Sequence, residues 1–227
     1  MDFKLRQLIV EGLSHLLWPV ECPFCKRLGV VACDGCMDLA LSGGGTSCLK
    51  CMGQYPCPVH ADRSLPLYWG ATHEGKVREA VHLLKYGHIK SLGIKMGHAL
   101  ARNLPIEGPI DALVPVPLHI GSVRPFNQAF EIAKGLGQAL GAPVFDVLSW
   151  REELSCQVSK SPVERRMLPE GVIVFKDDVD VPEGKGIIIV DDVCTTGTTI
   201  ERCRKALEKK GFQVVGAVVW SLGGSSK

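Results

Sequence analysis

The sequence predicts an α/β protein in which a parallel sheet is flanked by helices and preceded by a small cysteine-rich segment. Three observations predict this fold class. Seven of the ten cysteines lie between Cys22 and Cys57. From Pro66 onward, short apolar runs alternate with segments of helical periodicity, as in sheets with crossover helices. One of these runs leads through two aspartates into a threonine-rich turn and a further helical pattern.

The composition is that of an ordinary globular protein. Of the 227 residues, 46% are hydrophobic, and 26 basic against 24 acidic side chains give a formal net charge of +2. A disordered chain would be less apolar and more highly charged, and a membrane-spanning helix would need about 20 consecutive apolar residues. The sequence excludes both classes. Its length allows one domain of ordinary size with a small appendage.

The first segment, residues 1–20, is predicted to contain an amphipathic helix over residues 3–17, because its leucines and Ile9 recur at helical spacing before Pro19. Polar side chains interrupt the stretch, so it lacks the apolar core of a secretory signal. Clustered cysteines without such a signal indicate metal ligands in a reducing compartment rather than a disulfide framework. We therefore expect a cytoplasmic protein without a membrane span.

The second segment, residues 21–62, is predicted to be a double zinc ribbon. Two residues between ligands let both side chains of one tight turn reach a single ion, and eight ligands suit two tetrahedral Zn²⁺ sites. The predicted ligands form four such pairs: Cys22 and Cys25, Cys33 and Cys36, Cys48 and Cys51, Cys57 and His60. We expect one or two structural ions, because about forty residues cannot build a sufficient apolar core.

The spacing leaves two ways of joining these ligand pairs. Joining consecutive pairs gives two ribbons in series, divided by the glycine run at residues 43–45. Joining the first pair with the third stays open, because the loops inside consecutive ribbons would be short.

The third segment, residues 63–227, carries the α/β pattern. Strands are predicted over residues 67–72, 112–116, 144–148, 171–175, 187–190 and 214–220. Helices are predicted over residues 77–84, 92–100, 129–140 and 200–210, with a break at residues 86–88.

Positive charge is concentrated in the middle of the chain, where residues 63–104 carry seven basic and two acidic side chains. Such a segment can steer a polyanion, and Tyr68, Trp69 and Tyr86 could stack on bases, so single-stranded DNA is one predicted partner. A solvated helix face with packed aromatic residues would give the same pattern.

The clearest functional motif follows the apolar run at residues 187–190. Asp191 and Asp192 come first, then a turn with four threonines, then a helix. Such a turn directs backbone N–H groups at an anion, and the helix N-terminus adds a favourable dipole. Carboxylates suit sugar hydroxyls or Mg²⁺ instead, so a ribose 5-phosphate would satisfy both halves. The predicted phosphate-binding residues are Val193, Cys194, Thr195, Thr196, Gly197, Thr198 and Thr199.

This motif and three further stretches resemble a known family. Residues 190–199 resemble the 5-phosphoribosyl 1-pyrophosphate (PRPP) binding motif of type I phosphoribosyltransferases. Together with Lys85-Tyr86, residues 114–119, residues 124–129 and the four ligand pairs, they make the chain similar to the ComF family over residues 15–220. The resemblance implies a type I phosphoribosyltransferase-like parallel sheet flanked by helices, behind an N-terminal double zinc ribbon.

The resemblance also implies residue roles. Asp191 and Asp192 would be catalytic residues that hold the ribose hydroxyls of PRPP, which binds with Mg²⁺. Pro125 replaces the family's usual glycine and lacks a backbone N–H, so phosphate contacts from that turn would come from side chains. Further pyrophosphate or substrate contacts are expected from Lys85, Pro117, Arg124, Asn127, Gln128, Gln157 and Arg165.

Two functions remain open at the level of sequence. One is phosphoribosyl transfer to an unknown acceptor, with a role in DNA uptake during natural transformation and a partner in the uptake machinery implied by the resemblance. The other is a non-catalytic module that binds single-stranded DNA or a protein and senses PRPP. No residue stands out as the base that would activate an acceptor, and the sequence predicts no oligomeric state.

Overall fold

A computed structural model describes residues 20–151, 169–176 and 186–223 of the chain. The helix predicted over residues 3–17 lies outside these ranges, as do Gln157 and Arg165. Among the helices within them, none combines the length and the apolar character that crossing a bilayer requires.

Within these ranges, seven strands form one large and one small sheet. The strands are β1 (Gly45–Cys48), β2 (Pro66–Thr72), β3 (Ala112–Pro115), β4 (Leu148–Trp150), β5 (Ile173–Phe175), β6 (Ile187–Cys194) and β7 (Val214–Leu222). The large sheet has the order β1-β2-β7-β6-β3, and β4 pairs with β5 in the small one. Strands β2, β7, β6 and β3 are mutually parallel, whereas β1 runs antiparallel to β2. The central sheet is therefore parallel, as predicted.

In the described part of the chain, five α-helices accompany the strands: α1 (Asp34–Ala40), α2 (Gly75–Tyr86), α3 (Lys90–Asn103), α4 (Gln128–Leu140) and α5 (Thr198–Glu208). Helix α4 shows why they lie where they do. The Asn127 side chain accepts a hydrogen bond from the Ala129 backbone N–H at its start, and Gly141 ends it in the left-handed region. Helices α3 and α4 can cross closely because Gly97 and Gly135 have no side chain. A methyl group on either glycine would collide with the backbone of the other helix.

An apolar core covers each face of the large sheet. Along β6, Ile188 and Val190 belong to one core, whereas Ile187 and Ile189 belong to the other, as the alternation of side chains along a strand requires. Burying one such side chain contributes about 1.5–3 kcal/mol. The first core is shared with α3 and α4, and the second with α5.

The cysteine-rich segment is joined to this framework. Its strand β1 pairs with β2 at the edge of the large sheet, and Met37 and Leu41 are buried in the first core. Leu49 is buried in the second core. The segment thus contributes to both cores, and a domain boundary between residues 62 and 63 stays a prediction.

Two predicted strands differ from the observed ones. The strand predicted over residues 144–148 is wrong for most of its length, since Val144 makes a single bridge to Leu113 before the chain leaves the large sheet. Strand β4 begins only at Leu148. The strand predicted to end at Val190 continues to Cys194, because β7 is long enough to pair with it as far as Leu222. Asp191 and Asp192 therefore lie within the strand rather than directly after it.

Candidate functional site

A pocket of about 560 Å³ opens at the carboxyl ends of β3 and β6. Polar residues that follow parallel strands meet at this edge, where open α/β sheets bind ligands. The predicted substrate residues that line it are Lys85, Pro117, Arg124, Asn127, Gln128 and residues 191–199. The structure therefore brings together all the predicted substrate residues that it describes, and their roles toward PRPP stay predictions.

The predicted phosphate loop connects the end of β6 to the start of α5. Gly197, with φ of 71°, stands directly before the helix in the left-handed region that glycine adopts readily. The hydroxyl oxygens of Thr196 and Thr198 lie 3.0 Å apart. Gly223 N–H donates to the Cys194 carbonyl at 2.7 Å and ties the loop to the end of β7. The first backbone N–H groups of a helix have no intrahelical acceptor, so this loop can offer them to an anion.

Cys194 packs beneath the loop rather than reacting. Its side chain is 2% exposed, and burial raises the pKa of its thiol to about 12. The reactive form of cysteine is the thiolate, so this residue is unsuited to act as a nucleophile. Cys203 is fully buried on the same helix face as Ile200 and Leu207.

The two aspartates occupy the floor of the pocket in different surroundings. Asp192 N–H donates to Asp191 Oδ1 at 2.8 Å. Asp192 is 7% exposed, and its Oδ2 lies 2.9 Å from the Nζ of Lys85, which projects from the last turn of α2. A buried carboxylate needs such a partner, because an uncompensated charge away from water is strongly destabilising.

A partly buried histidine lies close to this ion pair. His73 Nδ1 lies 2.9 Å from Ser221 Oγ. Burial lowers the pKa of His73, and the nearby Lys85 ammonium lowers it further. His73 is therefore neutral at neutral pH and adds no charge to the pocket.

The segment that contains Arg124 forms another wall. Arg124 Nη1 donates to Gln128 Oε1 at 2.9 Å. Asn127 Nδ2 donates to the Val116 carbonyl at 2.9 Å, while its oxygen caps α4. Gln128 is 2% exposed and donates to the Phe126 carbonyl. Asn127 and Gln128 thus fix the wall, and Arg124 supplies its cation.

The sequence did not indicate the contribution of Trp150 and His119 to this pocket. Their ring centroids lie 4.7 Å apart, and Trp150 Nε1 donates to the Pro117 carbonyl at 3.0 Å. Trp150 ends β4, so the small sheet supports the pocket wall at residues 116–119. No local signal could reveal this, because the partners are 33 positions apart.

The eight predicted metal ligands form two clusters. Within each cluster the donor atoms all lie within 4.8 Å of one another. The first cluster contains Cys22, Cys25, Cys33 and Cys36, and the second contains Cys48, Cys51, Cys57 and His60. The ligand pairs are thus joined consecutively, and the alternative of joining the first pair with the third is wrong.

The donor spacing fits a tetrahedral zinc ion. With Zn–S bonds of about 2.3 Å and Zn–N bonds of about 2.0–2.1 Å, a tetrahedron has S–S edges of about 3.8 Å and S–N edges of about 3.5 Å. The Sγ atoms of Cys51 and Cys57 lie 3.8 Å apart, and those of Cys25 and Cys33 lie 3.7 Å apart. His60 Nδ1 lies 3.5 Å from the Cys48 sulfur. Each cluster could therefore hold one zinc ion.

The two clusters begin with the same hairpin, offset by 26 residues. We call residues 21–28 the first knuckle and residues 47–54 the second knuckle. In the first, Lys26 N–H donates to the Cys22 carbonyl at 2.9 Å, and in the second Met52 N–H donates to the Cys48 carbonyl at 2.8 Å. Lys26 and Met52 have nearly equal φ angles of 62° and 59°.

Each knuckle favours the thiolate of its first cysteine. Burial would raise the pKa of Cys22, but hydrogen bonds from backbone N–H groups outweigh it and lower that pKa to about 6. Burial would likewise raise the pKa of Cys48, but hydrogen bonds, the strongest from the Ser64 hydroxyl, outweigh it and lower that pKa to about 6. The thiolate is the form that binds metal ions.

Much of the positive charge of residues 63–104 is paired in the structure. Lys76 pairs with Glu79, Lys95 with Asp34, and Arg102 with Asp38. Of the aromatic residues considered for base stacking, Tyr68 is buried and Trp69 donates a hydrogen bond to Ser47, whereas Tyr86 is 55% exposed. These pairs support the interpretation of a solvated helix face, and contact with single-stranded DNA stays a prediction.

Comparison with known proteins finds one matching domain family and a similar bacterial protein. The phosphoribosyl transferase domain family matches residues 125–227. The competence protein ComFC of Streptococcus pneumoniae is 39% identical over 89 residues, which cover 39% of this chain and 39% of that protein. The match thus spans about two fifths of the length of that relative.

Two solved structures are similar over most of the chain. The adenine phosphoribosyltransferase of Leishmania donovani covers 82% of this chain and 79% of its own, at 12% identity and a TM-score of 0.35. The adenine phosphoribosyltransferase of Leishmania tarentolae covers 82% of this chain and 85% of its own, at 12% identity and a TM-score of 0.33.

Proposed function

We propose that this chain, a ComF-family protein with a phosphoribosyl transferase domain, binds PRPP with Mg²⁺ in the pocket at the ends of β3 and β6. One observation carries the proposal: a threonine-rich loop at a helix N-terminus, two aspartates and two cations line the same pocket. The loop suits a 5-phosphate, the two aspartates suit ribose hydroxyls, and the two cations suit pyrophosphate.

The proposed binding mode follows from the charges of these residues. The loop at residues 195–199 receives the 5-phosphate, and Asp191 and Asp192 accept hydrogen bonds from the ribose hydroxyls. Because Lys85 already pairs with Asp192, we expect Mg²⁺ to be held mainly by the phosphate oxygens of the substrate, as is usual for this ion. Mg²⁺ would supply charge neutralisation for the pyrophosphate.

The proposed reaction is phosphoribosyl transfer with release of pyrophosphate. Breaking the bond between C1 of the ribose and pyrophosphate leaves positive charge on the sugar and negative charge on the departing group. Lys85 and Arg124 would stabilise the negative charge, and the fixed loop and aspartates would orient the ring toward the acceptor. The acceptor is not identified by the residues of the pocket.

The proposed biological role rests on the bacterial relative. The Streptococcus pneumoniae protein is named a competence protein. On that likeness we propose that this chain acts on the cytoplasmic side during DNA uptake, together with a protein of the uptake machinery.

A non-catalytic function is the second candidate. Tyr86 is 55% exposed at the rim of the pocket, beside Lys85. An exposed aromatic ring next to a cation can stack on a base of single-stranded DNA. In this alternative PRPP is a sensed ligand and no transfer takes place.

The test of the binding site is calorimetric titration of PRPP with Mg²⁺ into wild-type protein, Lys85→Ala and Lys76→Ala. Both lysines lie on α2, but Lys76 pairs with Glu79 outside the pocket. Hydrogen bonds to charged groups contribute about 1.5–3 kcal/mol, so we expect Lys85→Ala to weaken binding at least about tenfold and Lys76→Ala to leave it unchanged. Thermal unfolding checks that the variants are folded. Absence of binding by the wild-type protein would refute the proposal.

A turnover assay separates the two candidate functions. Pyrophosphate release that depends on an added nucleobase or amine would establish transfer. PRPP binding without turnover, together with oligothymidylate binding that weakens steeply with salt, would instead support the DNA-binding alternative.

A further inference from the structure

The second knuckle lies against the phosphate loop. A methyl group built on Gly197 would lie 2.8 Å from the Leu49 carbonyl oxygen and 2.9 Å from Met52 Cε. The glycine at the centre of the loop therefore touches two residues that stand directly beside the metal ligands Cys48 and Cys51. These contacts connect the second metal cluster to the pocket.

The knuckle is itself fixed on its other side. Leu49 N–H donates to the Leu65 carbonyl at 3.1 Å, and the Cys48 sulfur lies 3.0 Å from the Ser64 hydroxyl. Leu49 is 2% exposed and belongs to the same core as Ile200, the third residue of α5. The knuckle is thus packed between the start of β2 and the start of α5.

The first knuckle has a matching backbone and different surroundings. Gly29, which follows it, has φ of 75° and nothing within 4 Å of an added methyl group. Lys26, the counterpart of Met52, pairs with Glu21 of the same knuckle. The cluster reaches the rest of the fold away from the pocket: Phe24 and Met37 pack in the first core, and Asp34 and Asp38 of α1 pair with Lys95 and Arg102 of α3.

We propose that Leu49 and Met52 are positioning residues for the phosphate loop, so that the metal in the second cluster controls phosphate binding while the metal in the first cluster does not. The inference rests on the proposed function in naming PRPP as the ligand. The coupling itself depends only on the contacts between knuckle and loop.

The physical reason is the behaviour of the ligand set without its ion. Without an ion, no coordination bond joins the pair Cys48 and Cys51 to the pair Cys57 and His60, although their donor atoms lie within 4.8 Å of one another. Loss of the ion therefore opens the cluster and loosens the second knuckle. Gly197 then loses the surface that keeps it left-handed, and the loop samples conformations in which its N–H groups no longer converge.

The 26-residue offset supplies matched variants. Met52→Ala removes the contact between Met52 and Gly197 and leaves all four ligands in place. Lys26→Ala truncates the side chain at the same backbone position of the first knuckle. Cys51→Ser and Cys25→Ser likewise remove the second ligand of each knuckle, and both cysteines are exposed. Met52→Leu restores an apolar side chain of similar volume.

The experiment is hydrogen exchange of the Thr195–Thr199 amides in ligand-free, zinc-loaded protein, with zinc content measured for each variant. We expect exchange to accelerate about tenfold in Met52→Ala and at least as much in Cys51→Ser. Lys26→Ala, Cys25→Ser and Met52→Leu should behave like the wild-type protein. Equal exchange in Met52→Ala and the wild type, at equal zinc content, would overturn the inference.

PRPP affinity gives a second readout that separates this inference from the proposed function. If the wild type binds PRPP, Met52→Ala should bind it about tenfold more weakly, and Met52→Leu should recover the affinity. Unchanged affinity in Met52→Ala would overturn the coupling and leave the proposed function intact. If the wild type binds no PRPP, the proposed function fails, while the exchange measurement still decides whether the second knuckle positions the loop.

Discussion

The two metal clusters show how one local structure can serve two purposes. Both begin with a hairpin of the same backbone geometry, in which a buried cysteine receives hydrogen bonds that lower its pKa to about 6. They differ in what lies next to them. The first cluster leads into α1, which is held to α3 by ion pairs, whereas the second cluster packs on the phosphate loop. The ligand spacing specifies the metal site, and the neighbouring elements specify its role.

The difference extends to the elements that each cluster contacts. Asp34 and Asp38 beside the first cluster make partly exposed ion pairs, which typically contribute less than about 1 kcal/mol each, and Met37 is buried in the core shared with α3 and α4, away from the phosphate loop. Leu49 of the second cluster is 2% exposed and packs with α5. A buried apolar contact depends on shape over a few tenths of an ångström. The second cluster is therefore the better placed to transmit a structural change to the pocket.

Removal of zinc is expected to have the largest effect. Structural zinc sites contribute about 10–16 kcal/mol in isolated zinc-finger peptides, and the clusters here could hold one ion each. We expect two zinc ions per chain and a fall of more than about 10 °C in the unfolding temperature when a strong chelator removes them. Zinc analysis and calorimetry measure both quantities. An unfolding temperature insensitive to chelation would contradict a structural role for either cluster.

Two glycine substitutions sharpen the comparison between the clusters. Gly29 and Gly197 have φ angles of 75° and 71°, so alanine at either position costs about 1–2 kcal/mol in the left-handed region. Only at Gly197 does the added methyl group meet neighbours, among them the Leu49 carbonyl oxygen at 2.8 Å. Overpacking adds about 1–3 kcal/mol.

We therefore expect Gly197→Ala to lower the free energy of unfolding by about 2–5 kcal/mol and Gly29→Ala by about 1–2 kcal/mol, as measured by urea denaturation. Only Gly197→Ala should weaken PRPP binding. Equal losses of stability in the two variants would show that the second knuckle moves to accommodate the added methyl group and does not constrain the loop.

The sequence predicted what depends on local patterns. Ligand spacing predicted the four ligand pairs but left open how they are joined. The run from Ile187 to the threonines predicted a strand, a loop and a helix in the observed order. The carboxyl ends of parallel strands meet at one edge, so the pocket followed from the fold class together with the motif. These features are encoded within a few neighbouring residues.

The remaining features depend on partners that are distant in the chain. The contact between Leu49 and Gly197 joins positions almost 150 residues apart, and no periodicity signals it. The Lys85–Asp192 ion pair arises because α2 ends above β6. The strand predicted over residues 144–148 failed because an apolar run does not show which of two sheets it joins. Tertiary packing decided each of these cases.

The smallest expected effect concerns the ion pairs of the first cluster. Burial would raise the pKa of Asp38, but hydrogen bonds from Arg102 and Asn103 outweigh it and lower that pKa below its ordinary value of 3.8. A lowered carboxyl pKa stabilises the folded state above the unfolded-state pKa, and this contribution disappears as the pH falls through the folded-state pKa. We expect Asp38→Asn to cost less than about 1 kcal/mol near pH 6, and this cost to decrease as the pH falls below 3.8.

The measurement is the difference in unfolding free energy between the wild type and Asp38→Asn at each pH, because acid also protonates the metal ligands in both proteins and that effect cancels in the difference. Asp34→Asn is the control, since its carboxylate is 65% exposed and lies 3.3 Å from Lys95, so its difference should be smaller at every pH. A constant difference for Asp38→Asn between about pH 6 and pH 3 would mean that packing, not charge, holds α1 against α3. The first cluster would then be anchored through the burial of Met37 in the first core alone, and the contrast between the two clusters would reduce to which elements they contact.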